Sequence, residues 1–305
     1  MSNNNNGNQP HQLSRRKFLD TTMRATVAGS ILTIPSLKAF AKTSEYTVQN
    51  IIDLILKEIP GAPLKQTVDT LKTGTADQKV TGVVTTMFAT VDVIRKAKAI
   101  GANFIIAHEP TFYNHTDDLN WAGPSAIVTQ KQELLKQLGI AVWRFHDYWH
   151  TYRPDGVMYG VLRKTDWIKY NEKAEVTFTM PPKPLKQIAE HLKKSLGIEQ
   201  LRVIGELSAS CEKIALLPGA SGGQRQIGTV EKEKPDVIII GEVHEWETAE
   251  YIRDARSLGS KTALIILGHS VSEEPGMEWL VDWLQPKVKG INVTHIASNN
   301  PFAWL

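Results

Sequence analysis

The feature that most constrains the fold is a short, fully apolar strand that ends on two polar side chains. Residues 104–107 read Phe-Ile-Ile-Ala, follow an amphipathic helical pattern at 91–100, and precede His108, Glu109 and Pro110. A strand without polar alternation is typical of a parallel sheet that is covered on both faces. Ligands of open α/β sheets bind beyond the carboxyl ends of such strands. An imidazole and a carboxylate at that edge therefore predict a metal site, and a loop or capping pair is the simpler alternative.

Strand and helix patterns alternate along the rest of the chain. Buried, β-branched runs such as residues 237–240 are separated by helical patterns, the last of which is predicted over Met277–Leu284. This alternation predicts an α/β fold of two interlinked lobes with largely parallel sheets and a metal site between them. The polar, lysine-rich stretch 164–174 marks the boundary, so we predict lobes at residues 42–172 and 173–305.

The first 41 residues carry the pattern of an export signal. The motif Ser14-Arg15-Arg16-Lys17-Phe18-Leu19 resembles a twin-arginine signal, a mildly apolar region follows, and Ala39-Phe40-Ala41 fits a cleavage site. We therefore predict a signal peptide over residues 1–41 and an exported, periplasmic or extracytoplasmic mature protein. The alternatives are a disordered basic tail and an amphipathic helix of the mature domain.

The positive charge of the chain is concentrated in this leader. The whole chain has a formal net charge of +3, and residues 1–41 hold five basic residues and one acid, which leaves the remainder at −1. A nearly neutral mature chain gives no electrostatic reason to expect nucleic acid or an anionic membrane as a partner. No apolar run after the leader is long enough to span a membrane. The single cysteine, Cys211, lies far in sequence from any histidine, so we do not expect a thiol nucleophile.

Polar metal-binding residue types follow four of the predicted strands. The four groups are His108 with Glu109, His146 and Asp147 with His150, Glu242 with His244, and His269 with Glu273. Imidazoles and carboxylates without thiolates suit Zn, Fe, Mn or Ni, and the number of ligands is sufficient for two divalent ions. Glu273 is the best bridging candidate because a carboxylate offers two oxygens. The alternative is that Glu273 is an acid favoured near the amino end of a helix.

A glycine-rich turn at residues 218–223, Pro-Gly-Ala-Ser-Gly-Gly, follows another predicted strand. Its backbone N–H groups could cradle a phosphate. It lacks the lysine of a P-loop and the glycine spacing of a dinucleotide fingerprint. The alternative is that the glycines allow a close backbone approach beside the site.

Taken in order, these motifs resemble the Nif-three-like (NGG-interacting-factor-three-like) dinuclear metal-centre proteins, often labelled GTP cyclohydrolase I type 2 homologues. The resemblance covers nearly all of the mature chain. It rests on the segments Ala107–Phe112, His146–His150, Leu217–Gly222, Ile240–Glu242 and Gly268–Glu273. The final Gly-His-x-x-x-Glu is the most specific of them.

The chain departs from the family pattern at three positions. Glu109 stands where the family has a second histidine, His150 occupies the column of an aspartate ligand, and Phe88 replaces an early aspartate. A histidine-to-glutamate exchange keeps a ligand but changes its charge and softness. On this basis we choose the metal ligands as His108, Glu109, His150, His269 and Glu273, with Asp147 and His146 in reserve.

The function expected from these residues is metal-dependent hydrolysis of a small molecule by a metal-bound hydroxide. Glu242 and His244 are candidates for orienting ligands or transferring protons. The resemblance also implies a ring-shaped homo-oligomer such as a hexamer. The competing hypothesis is a non-enzymatic metal-binding or scaffold protein of the cell envelope, which would lack an open coordination position.

Overall fold

The computed structural model describes Met1 and residues 46–303. The predicted twin-arginine motif and cleavage site lie outside the described residues.

Two five-stranded sheets organise the described chain. The strands of the first sheet are β1 (Leu71–Thr73), β2 (Val83–Thr86), β3 (Phe104–Ala107), β4 (Ala141–Arg144) and β10 (Val293–His295). Their order is β1-β4-β3-β2-β10, in which only the pairing of β1 is antiparallel. The strands of the second sheet are β5 (Thr177–Pro184), β6 (Arg202–Ile204), β7 (Ser210–Leu217), β8 (Val237–Ile240) and β9 (Ala263–Ile266). Their order is β5-β7-β8-β9-β6, with antiparallel strands at both edges.

Helices connect and cover the parallel strands. The helices are α1 (Val48–Leu56), α2 (Val91–Ala99), α3 (Ala126–Leu138), α4 (Asp147–Thr151), α5 (Gly156–Lys164), α6 (Leu185–Leu196), α7 (Gly223–Glu233), α8 (Glu250–Ser257) and α9 (His269–Leu284). A π-helical turn, Glu245–Ala249, leads into α8. The strands β3, β4, β8 and β9 are buried at every position, as expected when helices cover both faces. The prediction of an α/β fold with two largely parallel sheets is therefore confirmed.

The chain returns to its first sheet at the end. α9 starts three residues after β9 of the second sheet, and the chain then continues into β10, which pairs in parallel with β2. α9 therefore leads from the carboxyl edge of one sheet to the other sheet, and the residues at its start are placed beside both.

The last helix is longer than predicted. The pattern predicted Met277–Leu284, but α9 begins at His269 and continues through Pro275. Proline removes one hydrogen bond from a helix interior and normally ends the helix. Here tertiary packing outweighs this tendency. The backbones of α5 and α9 approach so closely that a Cβ on Gly160 of α5 would overlap the backbone of Pro275 and Gly276. The close crossing of α5 and α9 holds the helix together across the proline.

An aromatic contact holds α4 against α9. The ring of Trp149 is fully buried and stacks on Trp279 with a centroid distance of 4.9 Å. Its Nε1 also donates a hydrogen bond to the carbonyl oxygen of Gly276 at 3.3 Å. This packing fixes the short helix that follows β4 next to the helix that follows β9. No helix among the described residues has the length and apolar character needed to cross a bilayer.

Candidate metal centre

Six side chains from the segments that follow β3, β4 and β9 lie close together beyond the carboxyl ends of these strands. Their ligand atoms form two overlapping groups, each within 4.8 Å: His108, His146 and His150, and His108, Glu109 and Glu273. His269 joins the second group, because its Nε2 lies 3.2 Å from Oε1 of Glu109 and 3.1 Å from Oε2 of Glu273. The cluster could hold a metal ion.

The histidine that follows β3, His108, has a buried ring nitrogen without a hydrogen-bond partner among the described residues. His108 is fully buried, and its Nδ1 donates to the carbonyl oxygen of Phe145 at 3.1 Å. Its Nε2 is buried, has no hydrogen-bond partner in the part of the chain that the structure describes, and faces Oε2 of Glu273 at 3.7 Å. Burial, together with the nearby charges of His150 and His146, holds the pKa of His108 well below its usual value. A neutral ring with an unpaired buried nitrogen fits a metal ligand.

Two aspartates orient His146, which directly precedes α4, and His150, which lies in it. Nδ1 of His146 lies 2.8 Å from Oδ1 of Asp147, and Nδ1 of His150 lies 2.9 Å from Oδ2 of Asp155. Both rings therefore turn their Nε2 toward His108. Carboxylate partners of this kind select the tautomer and orientation of metal-binding histidines.

The histidine of α9 has the same arrangement. Nδ1 of His269 lies 2.9 Å from Oε2 of Glu242, which leaves Nε2 for the two buried carboxylates Glu109 and Glu273. Position 269 is the first residue of α9, and four residues later Glu273 lies on the same face. Glu273 is buried and the first turn of the helix contains no acid, so the alternative of a helix-terminal acid is not supported.

Hydrogen bonds and nearby carboxylates raise the pKa of two histidines of the cluster. Burial opposes the charge of His269, but hydrogen bonds with Glu109 and Glu273 outweigh it and raise its pKa to about 10. Burial likewise opposes the charge of His150, but the hydrogen bond with Asp155 raises its pKa to about 9. An incoming cation must displace such protons, which is typical of metal sites.

The sequence and the fold can now be compared with known proteins. The family described as Duf34/NIF3 (NGG1p interacting factor 3) matches residues 47–301. The chain belongs to the Duf34/NIF3 family. The resemblance stated above is therefore confirmed over residues 47–301.

Individual relatives of the family are distant. A protein of Clostridium perfringens named "GTP cyclohydrolase 1 type 2 homolog" is 24% identical over 241 residues, which cover 74% of this chain and 87% of that protein. A protein of Clostridium acetobutylicum with the same name is 23% identical over 262 residues, which cover 81% of this chain and 93% of that protein. The crystal structure of a Bacillus cereus protein related to NIF3 superposes with a TM-score of 0.66 at 19% identity, covering 85% of this chain and 99% of that one. At this identity the structural likeness shows the fold alone.

The structure changes the assignment of three predicted residues in this Duf34/NIF3 protein. Both His146 and His150 face the cluster, whereas from the sequence we chose His150 as a ligand and kept His146 in reserve. Asp147 is not turned to the centre, because Oδ1 pairs with His146 and Oδ2 accepts hydrogen bonds from Thr67. His244 is exposed and lies 3.4 Å from a carboxylate oxygen of Glu247, on the π-helical turn rather than in the cluster.

The glycine-rich turn serves as a close packing surface. Gly219 has a φ of 67°, and a Cβ there would overlap the carboxylate of Glu273. A Cβ on Gly223 would similarly overlap the carboxylate of Glu247. Because carboxylates already lie against this turn, a phosphate would be repelled, and the observation favours the close backbone approach.

Two orienting carboxylates were missed by sequence reasoning. Asp155 both pairs with His150 and caps α5 by accepting the N–H groups of Val157 and Met158. The Pro-Asp-Gly sequence before a helix was a usable signal for that cap. Asp69 accepts the N–H groups of His146, Asp147 and Tyr148 at 2.8, 3.1 and 2.8 Å. No local pattern links Asp69 to the start of α4, because only the fold brings the two together.

Phe88 contributes an apolar contact beside the cluster. Its ring lies edge-on to His269, with 6.1 Å between the ring centroids. Position 88 therefore supplies an apolar ring beside His269 and no ligand atom.

Proposed function

We propose that this protein is an exported, metal-dependent hydrolase of a small molecule whose centre binds two divalent ions. The observation that carries the proposal is the common arrangement of four histidines. Each has its Nδ1 engaged by a carbonyl or carboxylate oxygen, which leaves Nε2 for the shared space. Histidines arranged in this way around buried carboxylates form a donor set suited to Zn, Fe, Mn or Ni.

The donors divide naturally between two positions. His108, His146 and His150 would hold one ion, and Glu109 and His269 would hold the other. Glu273 lies between them, with its Oε2 3.1 Å from Nε2 of His269 and 3.7 Å from Nε2 of His108. We therefore assign Glu273 as the carboxylate shared by both positions. Divalent ions bound there would supply Lewis acidity and lower the pKa of a coordinated water.

The residues at the mouth of the centre have distinct roles in this proposal. Glu242 hydrogen-bonds to His269 and is about half exposed, with 48% of its side chain accessible. It is therefore the carboxylate best placed to hold a proton at the mouth and to keep His269 in one orientation. We assign no role to His244, because its ring points away to Glu247.

Accessibility favours an enzyme over a closed structural site. The side chains of His146, His150 and His269 are 22%, 32% and 23% exposed, whereas His108 and Glu273 are buried. The centre thus has a buried floor and a partly exposed side, which would let a small substrate approach the ligands. A purely structural metal site would be closed on all sides by protein ligands.

The test begins with the metal content of the protein purified after native export. We expect up to two divalent ions per chain, and a panel of small hydrolase substrates should give turnover that a chelator abolishes. His108→Ala should lose both metal and turnover. His191→Gln is the matched control, because its ring contacts the carbonyl of Thr165 outside the centre. Metal binding without turnover on any substrate class would favour the non-enzymatic alternative.

We also propose that the protein forms a homo-oligomer, as the resemblance to the family implies. Light scattering of the purified mature chain should then give a mass that is a multiple of one subunit.

A further inference from the structure

A fully buried arginine lies directly behind the carboxylate side of the centre. Arg144 is the last residue of β4, and its side chain has no exposed area. Its Nε donates to the carbonyl oxygen of His108 at 3.3 Å, and its Nη2 lies 3.4 Å from Oε2 of Glu109. Its Nη1 donates to the carbonyl oxygen of His115 and lies 3.8 Å from Oδ2 of Asp117. All of these contacts fall on residues 108–117.

The charge of this arginine is permanent, and its donors have a fixed geometry. A guanidinium stays protonated in proteins and presents its N–H groups as a rigid fork. Removing one partner of a buried ion pair is costly, because the other charge is left without compensation. Asp117 is also held by Lys72, whose Nζ lies 3.1 Å from its Oδ2. The arginine and its partners therefore hold one another in a single arrangement.

The two oxygens of Glu109 face different partners. Oε1 lies 3.2 Å from Nε2 of His269 and 3.8 Å from Nε2 of His146, on the side of the centre. Oε2 faces Arg144 on the opposite side. Only Oε1 is therefore free to bind an ion as long as the arginine holds Oε2.

The segment that Arg144 holds also borders the mouth of the centre. The ring of His115 is exposed and lies edge-on to His146, with 6.0 Å between the centroids. Asp117 accepts the N–H of Phe112 at 2.7 Å, which closes the loop on itself. A guanidinium that binds Glu109, His115 and Asp117 together thus connects a ligand with the loop beside it.

We propose that Arg144 is a positioning residue that makes Glu109 a one-oxygen metal ligand and couples it to the loop at residues 111–117. The inference rests on the metal binding proposed above. It extends that function, because a residue outside the donor set determines how the donor set binds.

The test is a titration of the metal-free mature protein with Co²⁺, followed by calorimetry and by the visible absorption spectrum. Arg144→Lys keeps the charge but cannot make the forked contacts. It should weaken one of the two binding steps by about 10–100-fold, the range typical for loss of an orienting partner. It should also change the Co²⁺ spectrum, because Glu109 can then bind through both oxygens.

A double-mutant cycle separates positioning from a general structural role. If Arg144 acts through Glu109, Arg144→Lys should have little further effect in a Glu109→Gln background. Asp69→Asn is the matched control, because Asp69 is another buried charge but holds the backbone of α4. It should weaken the step assigned to the three histidines, and its effect should add to that of Glu109→Gln.

The outcomes distinguish the two proposals. If the wild-type protein binds no Co²⁺, the proposed function and this inference both fail. If it binds normally and Arg144→Lys leaves affinity and spectrum unchanged, or if the effects in the cycle are additive, only the inference is overturned. Should Arg144→Lys fail to fold by circular dichroism, Asp117→Asn loosens the same guanidinium from the loop side. That variant should weaken the same step severalfold, and unchanged binding would overturn the inference.

Discussion

Nε2 of His108 faces Oε2 of Glu273 at 3.7 Å, although the two residues follow strands of different sheets. His108 directly follows β3 of the first sheet, and Glu273 lies in α9, which follows β9 of the second. Both are buried, and among the described residues the histidine nitrogen has no hydrogen-bond partner. The pair therefore joins the two halves of the donor set at the floor of the centre.

The first prediction concerns this shared carboxylate. Glu273→Gln should lose at least one bound ion and any hydrolytic activity while the fold remains intact, because an amide is a weaker and uncharged ligand. Metal analysis beside the circular dichroism spectrum measures both properties. Glu278→Gln, on the same helix but partly exposed and paired with Lys164, should keep its metal. Unchanged metal content in Glu273→Gln with a stability loss of only ~0.5 kcal/mol would instead identify a helix-terminal acid.

The second prediction concerns the glycine that packs against Glu273. Gly219→Ala should displace this carboxylate and reduce metal content, because the new methyl group would overlap it. Gly222→Ala is the control, since this residue also has a positive φ, 78°, but has open space around its Cβ position. Each change should destabilise the fold by about 1–3 kcal/mol through backbone strain. Only Gly219→Ala should lose metal, and equal metal loss in both would argue against the contact.

The third prediction concerns pH and metal affinity. The pKa values of His150 and His269 are raised to about 9 and about 10, so both rings carry protons near neutral pH in the metal-free protein. Protons compete with the ion for Nε2, and the apparent affinity should therefore rise as the pH increases from 6 to 9. Calorimetric titration in two buffers of different ionisation enthalpy should detect proton release. Affinity that does not vary over this range would contradict the predicted proton competition.

The fourth prediction is the opposite trend for the stability of the metal-free protein. A histidine whose pKa is raised above 6.5 stabilises the fold fully below that pH and loses this contribution as the pH rises through its folded pKa. For His150 the loss should fall between pH 6.5 and about 9. Asp155→Asn removes the charge that raises this pKa, so thermal unfolding should depend less on pH in that variant. An identical pH dependence in both proteins would exclude Asp155 as the cause.

The fifth prediction concerns export. Replacing Arg15 and Arg16 by lysine should leave the uncleaved precursor in the cytoplasm, because these two residues define the twin-arginine motif. N-terminal sequencing of the exported wild-type protein should start near Lys42. Recovery of Met1 or Ser2 on exported, active protein would refute the signal peptide.

Local patterns in the sequence were sufficient for the fold class and for locating most of the side chains that the structure brings together in the cluster. Buried strands such as β3 and β8 are recognisable because parallel strands covered on both faces need no polar alternation. Metal-competent residues at the ends of these strands are recognisable because parallel strands direct their carboxyl ends to one edge. The family resemblance depended on the order and spacing of the same motifs.

Long-range packing decided the rest. Asp69 caps α4 and Arg144 holds Glu109 through contacts between residues that are far apart in the chain. His146 and His150 reach the centre from a short helix that the buried Trp149 holds against Trp279 of α9. The start of α9 at His269, across a proline, follows from its close crossing with α5. Residue spacing along the chain determines which side chains reach a sheet edge, whereas their orientation there depends on partners that only the folded chain brings together.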